Sequence, residues 1–184
     1  TREATLAAIE VGYRHIDTAQ MYRNERGVGE AVRDSGLDRS EVFITTKLNN
    51  NSHDPEVVPD AFDRSLRELA MDHVDLFLIH WPMPDVGDFL DTWNAMEEIH
   101  SSGRAKAIGV SNFQTHHLQR LLDAGATVPA VNQIEVHPWL AQNDLRAFNA
   151  THGILTEAWS PIARGRVLDE EQISTVAERL GRTP

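Results

Sequence analysis

The strongest constraint on this chain is a repeated order. A short strand-forming run is followed by an amphipathic helical stretch, six times over, with no linker or low-complexity segment between. The strand-like runs cover residues 13–19 (YRHIDTA), 42–48, 74–80 (VDLFLIH), 105–112, 130–136 and 154–160. Helical spacing occupies 1–11, 24–36, the stretch after Asp54-Pro55, the stretch carrying Leu90, Trp93, Met96 and Ile99, then 116–124, 143–152 and 169–180. Gly12, Gly36, Gly103, Gly125 and Gly153 stand where five of these helices should stop. Asp54-Pro55 reads as a cap followed by a first-turn proline.

Strands joined by helical crossovers must pair in parallel, and a parallel sheet is covered by its helices. An open doubly wound sheet and a closed eightfold barrel both satisfy this. The strand ends separate them. Asp17, Lys47, His80, Asn112 and Ser160 lie at or near the C-terminal ends of five different strands. In a (β/α)8 barrel all such ends open on one face. An open sheet gathers its ligand groups at one or two loops, usually beside a glycine-rich turn, and no GxGxxG follows any strand here. The prediction is an α/β TIM barrel forming one domain over 1–184. Eight strands normally take roughly 250 residues. The 184 present are therefore expected to hold about six of the eight strands and to lack the first and the last. Strands 13–19 and 154–160 should then flank a gap and carry unpaired edges.

Charge and composition narrow the function. A formal net charge of −11 argues against nucleic acid, which needs a basic face. It also means that local positive groups must hold any anionic ligand. No apolar run approaches membrane-spanning length and no basic-then-apolar leader is visible, so neither a membrane partner nor export is expected. The lack of cysteine excludes disulfides and thiolate chemistry and fits the cytoplasm. Among 17 basic residues lysine occurs only at Lys47 and Lys106. Either these are sites where a compact ammonium does what a guanidinium cannot, or they are survivors of codon usage.

Asp17, Tyr22, Lys47 and His80 form a chemical set. A tyrosine hydroxyl serves as a general acid when a nearby cation lowers its pKa toward the working pH. A lysine supplies that cation, an aspartate holds the lysine, and a histidine orients a carbonyl oxygen. Singly, each has a plainer reading: Asp17 as a helix-approach cap, Tyr22 as half-buried packing, His80 as a satisfied core histidine. Joint placement at one rim favours the chemical reading. Trp93 fits a helix core stripe, and Trp139 reads as packing.

Six collinear stretches, GYRHIDTAQMYRNE (12–25), ITTKL (44–48), LIHWP (78–82), IGVSNF (108–113), NQIEVHP (132–138) and EAWSPIARG (157–165), resemble the successive signatures of the aldo-keto reductases. The likeness is nearest to the bacterial branch of 2,5-diketo-D-gluconate reductases. That resemblance implies reduction of aldehydes or ketones to alcohols by hydride from NAD(P)H, with NADPH preferred. It implies Tyr22 as general acid, Lys47 lowering its pKa, Asp17 paired to Lys47, and His80 positioning the substrate carbonyl. Ser111, Asn112 and Gln133 match the residues that hold the nicotinamide carboxamide. Trp159 stands where a tyrosine more often stacks on the ring. Ser160, Ile162 and Arg164 match the loop over the pyrophosphate, with Arg166 adding positive charge. Trp81 would wall the substrate pocket, and Asn49 replaces a tryptophan of that wall. A small-molecule carbonyl substrate and a monomer at full length follow by the same resemblance. The segment that reads the adenosine 2′-phosphate would lie beyond Pro184.

Two other classes remain. One is a non-catalytic barrel that binds the cofactor as a regulatory subunit. The other is a metal-dependent hydrolase using His15, Asp17, Lys47, His80 and His137. No two histidines stand two apart, which counts against the second.

Overall fold

The computed structural model describes Thr1–Pro184 throughout. Six strands alternate with seven helices: α1 Arg2–Glu10, β1 His15–Asp17, α2 Glu25–Asp34, β2 Phe43–Leu48, α3 Val58–Leu69, β3 Val74–Ile79, α4 Phe89–Ser101, β4 Ala105–Ser111, α5 Thr115–Asp123, β5 Val131–Glu135, α6 Asn143–Thr151, β6 Leu155–Trp159 and α7 Glu171–Leu180. All strand pairs are parallel and the order is β1-β2-β3-β4-β5-β6. β1 and β6 are the edges, as the expected gap requires.

The sheet curls. Asp17, at the end of β1, accepts a hydrogen bond from Gln133 of β5 at 2.8 Å. In a flat sheet strands four places apart would stand roughly 19 Å from each other. Only a wall bent into part of a barrel brings these side chains into contact.

Strand parity decides which residues face the inside of this wall. Along β3, Phe77 and Ile79 pack outward into the main core with the helices, while Leu76 and Leu78 join Val131 in a small inner cluster. Ile16, Ile44, Leu48, Ile108, Val110 and Ile134 belong to the outer core. Their alternate neighbours Asp17, Lys47, Ser111 and Gln133 therefore point inward. His80 continues the inward series of Leu76 and Leu78.

Two boundaries differ from expectation. α3 begins at Val58, not at Pro55. Residues 54–57 form a separate turn in which Val57 and Val58 N–H both donate to the Asp54 carbonyl, at 2.9 and 3.1 Å. The first-turn proline is Pro59, whose missing N–H costs nothing there. β1 keeps only three residues, because Tyr13 N–H donates at 2.9 Å to Ala8 O and closes α1 instead of entering the sheet. The 3-10 turns Gln20–Tyr22, Arg39–Glu41 and Ala163–Gly165 were not foreseen, being too short to show a period.

Candidate active site

The mouth of the wall is built from strand ends. Lys47 is 1% exposed. Its Nζ donates to Asp17 Oδ1 and, at 3.0 Å, to Thr18 O. The second carboxylate oxygen of Asp17 accepts from Gln133. Tyr22 arrives on the turn that follows β1. That turn is pinned by Gln20, whose amide donates to Ala61 O at 3.0 Å and Ser65 Oγ at 2.9 Å on α3. Thr18 Oγ1 ties its other side to Asn24 Oδ1 at 2.6 Å. The Tyr22 ring lies 5.3 Å from Lys47 Nζ. It meets the His80 ring edge-on at 5.7 Å between centroids. Asp17, Tyr22, Lys47 and His80 are thus brought together.

The electrostatics differ from the simple expectation. The Tyr22 phenol is raised above the ordinary tyrosine range, first by burial and then by the Asp17 carboxylate. Lys47 was expected to lower it. Its ammonium is committed to Asp17, so the pair offers the phenol little net positive charge. The raised phenol stays protonated at neutral pH, the state an acid needs. His80 is pushed down to about 4 by burial and the Lys47 ammonium, against a smaller opposing pull from Asp17. Its Nδ1 is buried with no partner. An unprotonated Nδ1 is the cheaper orphan, which leaves Nε2 to carry the proton.

Beside this set lies the polar group. Asn112 adopts a left-handed conformation (φ 63°) at the end of β4, a strain tolerated where side chains are held for function. Its Nδ2 donates to His80 O at 2.9 Å and Ser111 Oγ at 3.0 Å, and its Oδ1 accepts from Trp159 Nε1 at 2.9 Å. Ser111 Oγ donates to Gln133 O at 2.9 Å. The ends of β3, β4, β5 and β6 are thereby stitched together.

One cavity of about 440 Å³ unites the two groups. It is lined by Asp17, Tyr22, His80, Trp81, Ser111, Asn112, Gln133, Trp159, Ser160 and Arg164, with Glu157 and Ala158. Lys47 sits behind Asp17. Two more expected residues do not line it. Asn49 lines a separate, wholly polar cavity with Gln20, Arg23 and Arg64. Its N–H donates to Gln20 Oε1 at 2.9 Å, which draws the chain after β2 toward α3. Ile162 is 50% exposed, set in a turn closed by Ala163 N–H to Ser160 O at 2.8 Å.

The donor set fits a nicotinamide nucleotide: hydrogen-bonding side chains for a carboxamide, an indole for the ring, and a guanidinium for phosphate. No three His, Asp or Glu side chains gather in metal-ligating geometry. Of the residues considered for a metal, His15 instead bonds Thr45 Oγ1 at 2.8 Å and His137 meets Glu135 at 3.4 Å, so these two histidines are engaged elsewhere. Glu157 was not singled out from the sequence. Its spacing of two from Trp159, which places both on one strand face, was the available signal.

Known proteins resemble this chain over nearly its whole length. The sequence model of the Aldo/keto reductase family matches residues 1–182. The chain is 48% identical over 179 residues to methylglyoxal reductase DkgA of Escherichia coli, covering 96% of this chain and 64% of that protein. It is 48% identical over 177 residues to the glyoxal reductase of Bacillus subtilis, covering 96% and 63%. The chain thus spans a little under two thirds of these relatives. A crystal structure of an aldo/keto reductase from Brucella melitensis superposes with a TM-score of 0.93 at 46% identity, over 99% of this chain and 70% of that one. A Bombyx mori aldo-keto reductase in complex with NADP superposes with a TM-score of 0.92 at 36% identity, over 99% and 66%. No helix is long and apolar enough to cross a membrane.

Proposed function

Since this chain belongs to the Aldo/keto reductase family, we propose that its barrel mouth reduces aldehydes or ketones to alcohols, with NADPH as reductant and Tyr22 as proton donor. The observation that carries this reading is the single cavity where Tyr22 and His80 face Ser111, Asn112, Gln133 and Trp159.

When bound, the cofactor supplies hydride to the carbonyl carbon. The chain supplies everything else. Tyr22 donates its proton to the carbonyl oxygen as negative charge develops there. His80, neutral at pH 7, offers its Nε2–H to the same oxygen and fixes its direction. Lys47, held by Asp17 and the Thr18 carbonyl, stands 5.3 Å from the Tyr22 ring and fixes the Asp17 carboxylate beneath the phenol. Trp81, 42% exposed, gives the cavity an apolar wall that excludes water from the reacting oxygen. Ser111, Asn112 and Gln133 hold the carboxamide, Trp159 the ring, and Ser160 with Arg164 the phosphates. Asn49 and Ile162 take no part.

The cavity volume suits a nicotinamide and a small carbonyl compound together. Relatives named for methylglyoxal and glyoxal support α-dicarbonyl aldehydes as the substrate class, and the NADP-bound structure supports NADPH over NADH. The cysteine-free composition supports a cytoplasmic setting. The test follows NADPH absorbance in the intact protein with methylglyoxal. Consumption of NADPH, faster than that of NADH and matched by hydroxyketone product, is expected. NADPH binding with no turnover of any small aldehyde would refute the reductase reading and favour the regulatory barrel.

A further inference from the structure

Glu157 has no part in the reduction as proposed, yet it lines the same cavity, two residues before Trp159 on β6. Its Oε1 accepts a hydrogen bond from Gln133 Nε2 at 2.8 Å. Asp17 Oδ2 accepts from that same nitrogen at 2.8 Å. Two carboxylates therefore bracket one side-chain amide. Only the NH2 end satisfies both, because a carbonyl oxygen placed between carboxylates would find nothing to accept from. Both Nε2 protons are used, and the amide plane cannot turn over. Gln133 Oε1 is absent from the buried polar atoms that lack a partner, and Gln133 lines the cavity; the oxygen opens into that space. A glutamine without such brackets presents NH2 or C=O by a half-turn of its terminal torsion.

We propose that Glu157 is a positioning residue: with Asp17 it locks Gln133 so that only a carbonyl oxygen faces the cavity, which makes the site selective for a ligand that presents an N–H there. The primary amide of a nicotinamide presents one. The inference rests on the cofactor reading above and adds to it a residue and a rule of selection. It also joins the two halves of the site. The remaining oxygen of Asp17 holds Lys47, so one chain of contacts runs Lys47–Asp17–Gln133–Glu157.

A plain rim charge would act in the opposite direction. In a chain of net charge −11, one more carboxylate beside an anionic nucleotide repels it, and removing that carboxylate would tighten binding. The lock predicts the reverse, so the sign of the effect is informative.

The experiment measures dissociation constants on the intact protein by quenching of tryptophan fluorescence. The probes are NADPH and its reduced 3-acetylpyridine analogue, in which a methyl group replaces the amide NH2. Wild type should prefer NADPH by about tenfold, the worth of one hydrogen bond. Glu157→Met, which keeps side-chain bulk, should bring the two nucleotides within about twofold, chiefly by weakening NADPH. Glu157→Gln, whose amide oxygen still accepts from Gln133, should keep the preference. A Glu157→Met variant that retains the wild-type preference, or binds NADPH more tightly, overturns the lock while leaving the cofactor site standing. A wild type that binds neither nucleotide overturns both. Glu157→Gln serves alone if Glu157→Met does not fold: loss of the preference in it overturns the role of the hydrogen bond.

Discussion

Helix α2 rests on the end of α3 through one glycine, and replacing it gives a sharp test of how the scaffold behind the site is held. A Cβ built on Gly29 would fall 2.0 Å from Leu69 O, 2.6 Å from its carbonyl carbon and 2.9 Å from its Cα. All three are backbone atoms, so no side chain can swing aside. An ordinary carbon–oxygen contact is about 3.3 Å, so one helix must retreat by roughly 1.3 Å. That retreat pulls Val28 and Val32 of α2 away from the core they share with Leu66 and Leu69. Overpacking at such a contact costs about 3 kcal/mol, offset by about 1 kcal/mol from the better helix propensity of alanine. The net loss for Gly29→Ala is about 2 kcal/mol, a fall in melting temperature of about 4–8 °C for a chain of this size. Gly27, one residue beyond Val28 on the same helix, is the control. Its Cβ would meet Thr1 Cβ at 3.2 Å and Arg2 N at 3.3 Å, contacts at an exposed helix start that can yield by tenths of an ångström. Gly27→Ala should melt at or slightly above wild type. The assay is thermal unfolding followed by circular dichroism. A Gly29→Ala protein melting at or above wild type would refute the reasoning.

Other outcomes follow from single contacts. Asp75 is 6% exposed and accepts from Ile44 N–H at 2.8 Å, Arg39 at 2.7 Å and Lys106 at 2.9 Å. Asp75→Ala should cost about 2 kcal/mol, discounted for the exposure of the Lys106 partner, read by urea denaturation. Burial pushes the Asp75 carboxyl up, but the bonds from Lys106, Ile44 and Arg39 outweigh it and leave it below the usual range. Its contribution is therefore full above the unfolded aspartate pKa and declines as pH falls below it; in Asp75→Ala the acid loss over that window should be shallower. His80, held down to about 4, is the opposite kind of group from a raised histidine: the unfolded chain binds its proton near 6.5, so stability falls as pH drops from 6.5 toward 4. For catalysis, kcat/KM for reduction should show no inflection near 6.5; a clear one would show that His80 titrates normally. With the Tyr22 phenol raised, the alkaline decline should lie above the ordinary tyrosine value.

Much of the architecture was legible because parity and order carry it. Alternation of strand and helix gave the parallel sheet, and the residues at strand ends gave the mouth. Lys47, singled out as one of two lysines, proves buried and paired with the Asp17 carboxylate. Lys106, singled out on the same ground, is half-exposed and holds Asp75 on the outer face. Rarity marked both and could not separate an ammonium at the mouth of the wall from one on its outer face. Asn49 and Ile162 stand in the right stretch of sequence and do not line the cavity; for Asn49, the hydrogen bond to Gln20 sets the direction of the chain past the strand end. The direction of the Tyr22 shift was missed for a related reason. A lysine beside a tyrosine lowers its pKa only by charge not already spent, and Asp17 takes it here. Glu157 was hidden because its partner, Gln133, lies 24 residues away, a contact that strand pairing creates and local pattern does not show.

The central claim is that the Tyr22 hydroxyl supplies the proton in carbonyl reduction. Tyr22→Phe removes that oxygen and keeps the ring. The decisive measurement compares this variant with wild type for methylglyoxal reduction, with NADPH affinity determined on the same samples. A fall in kcat/KM of about 10²–10⁴ with cofactor affinity unchanged is expected. A Tyr22→Phe enzyme as fast as wild type would contradict it.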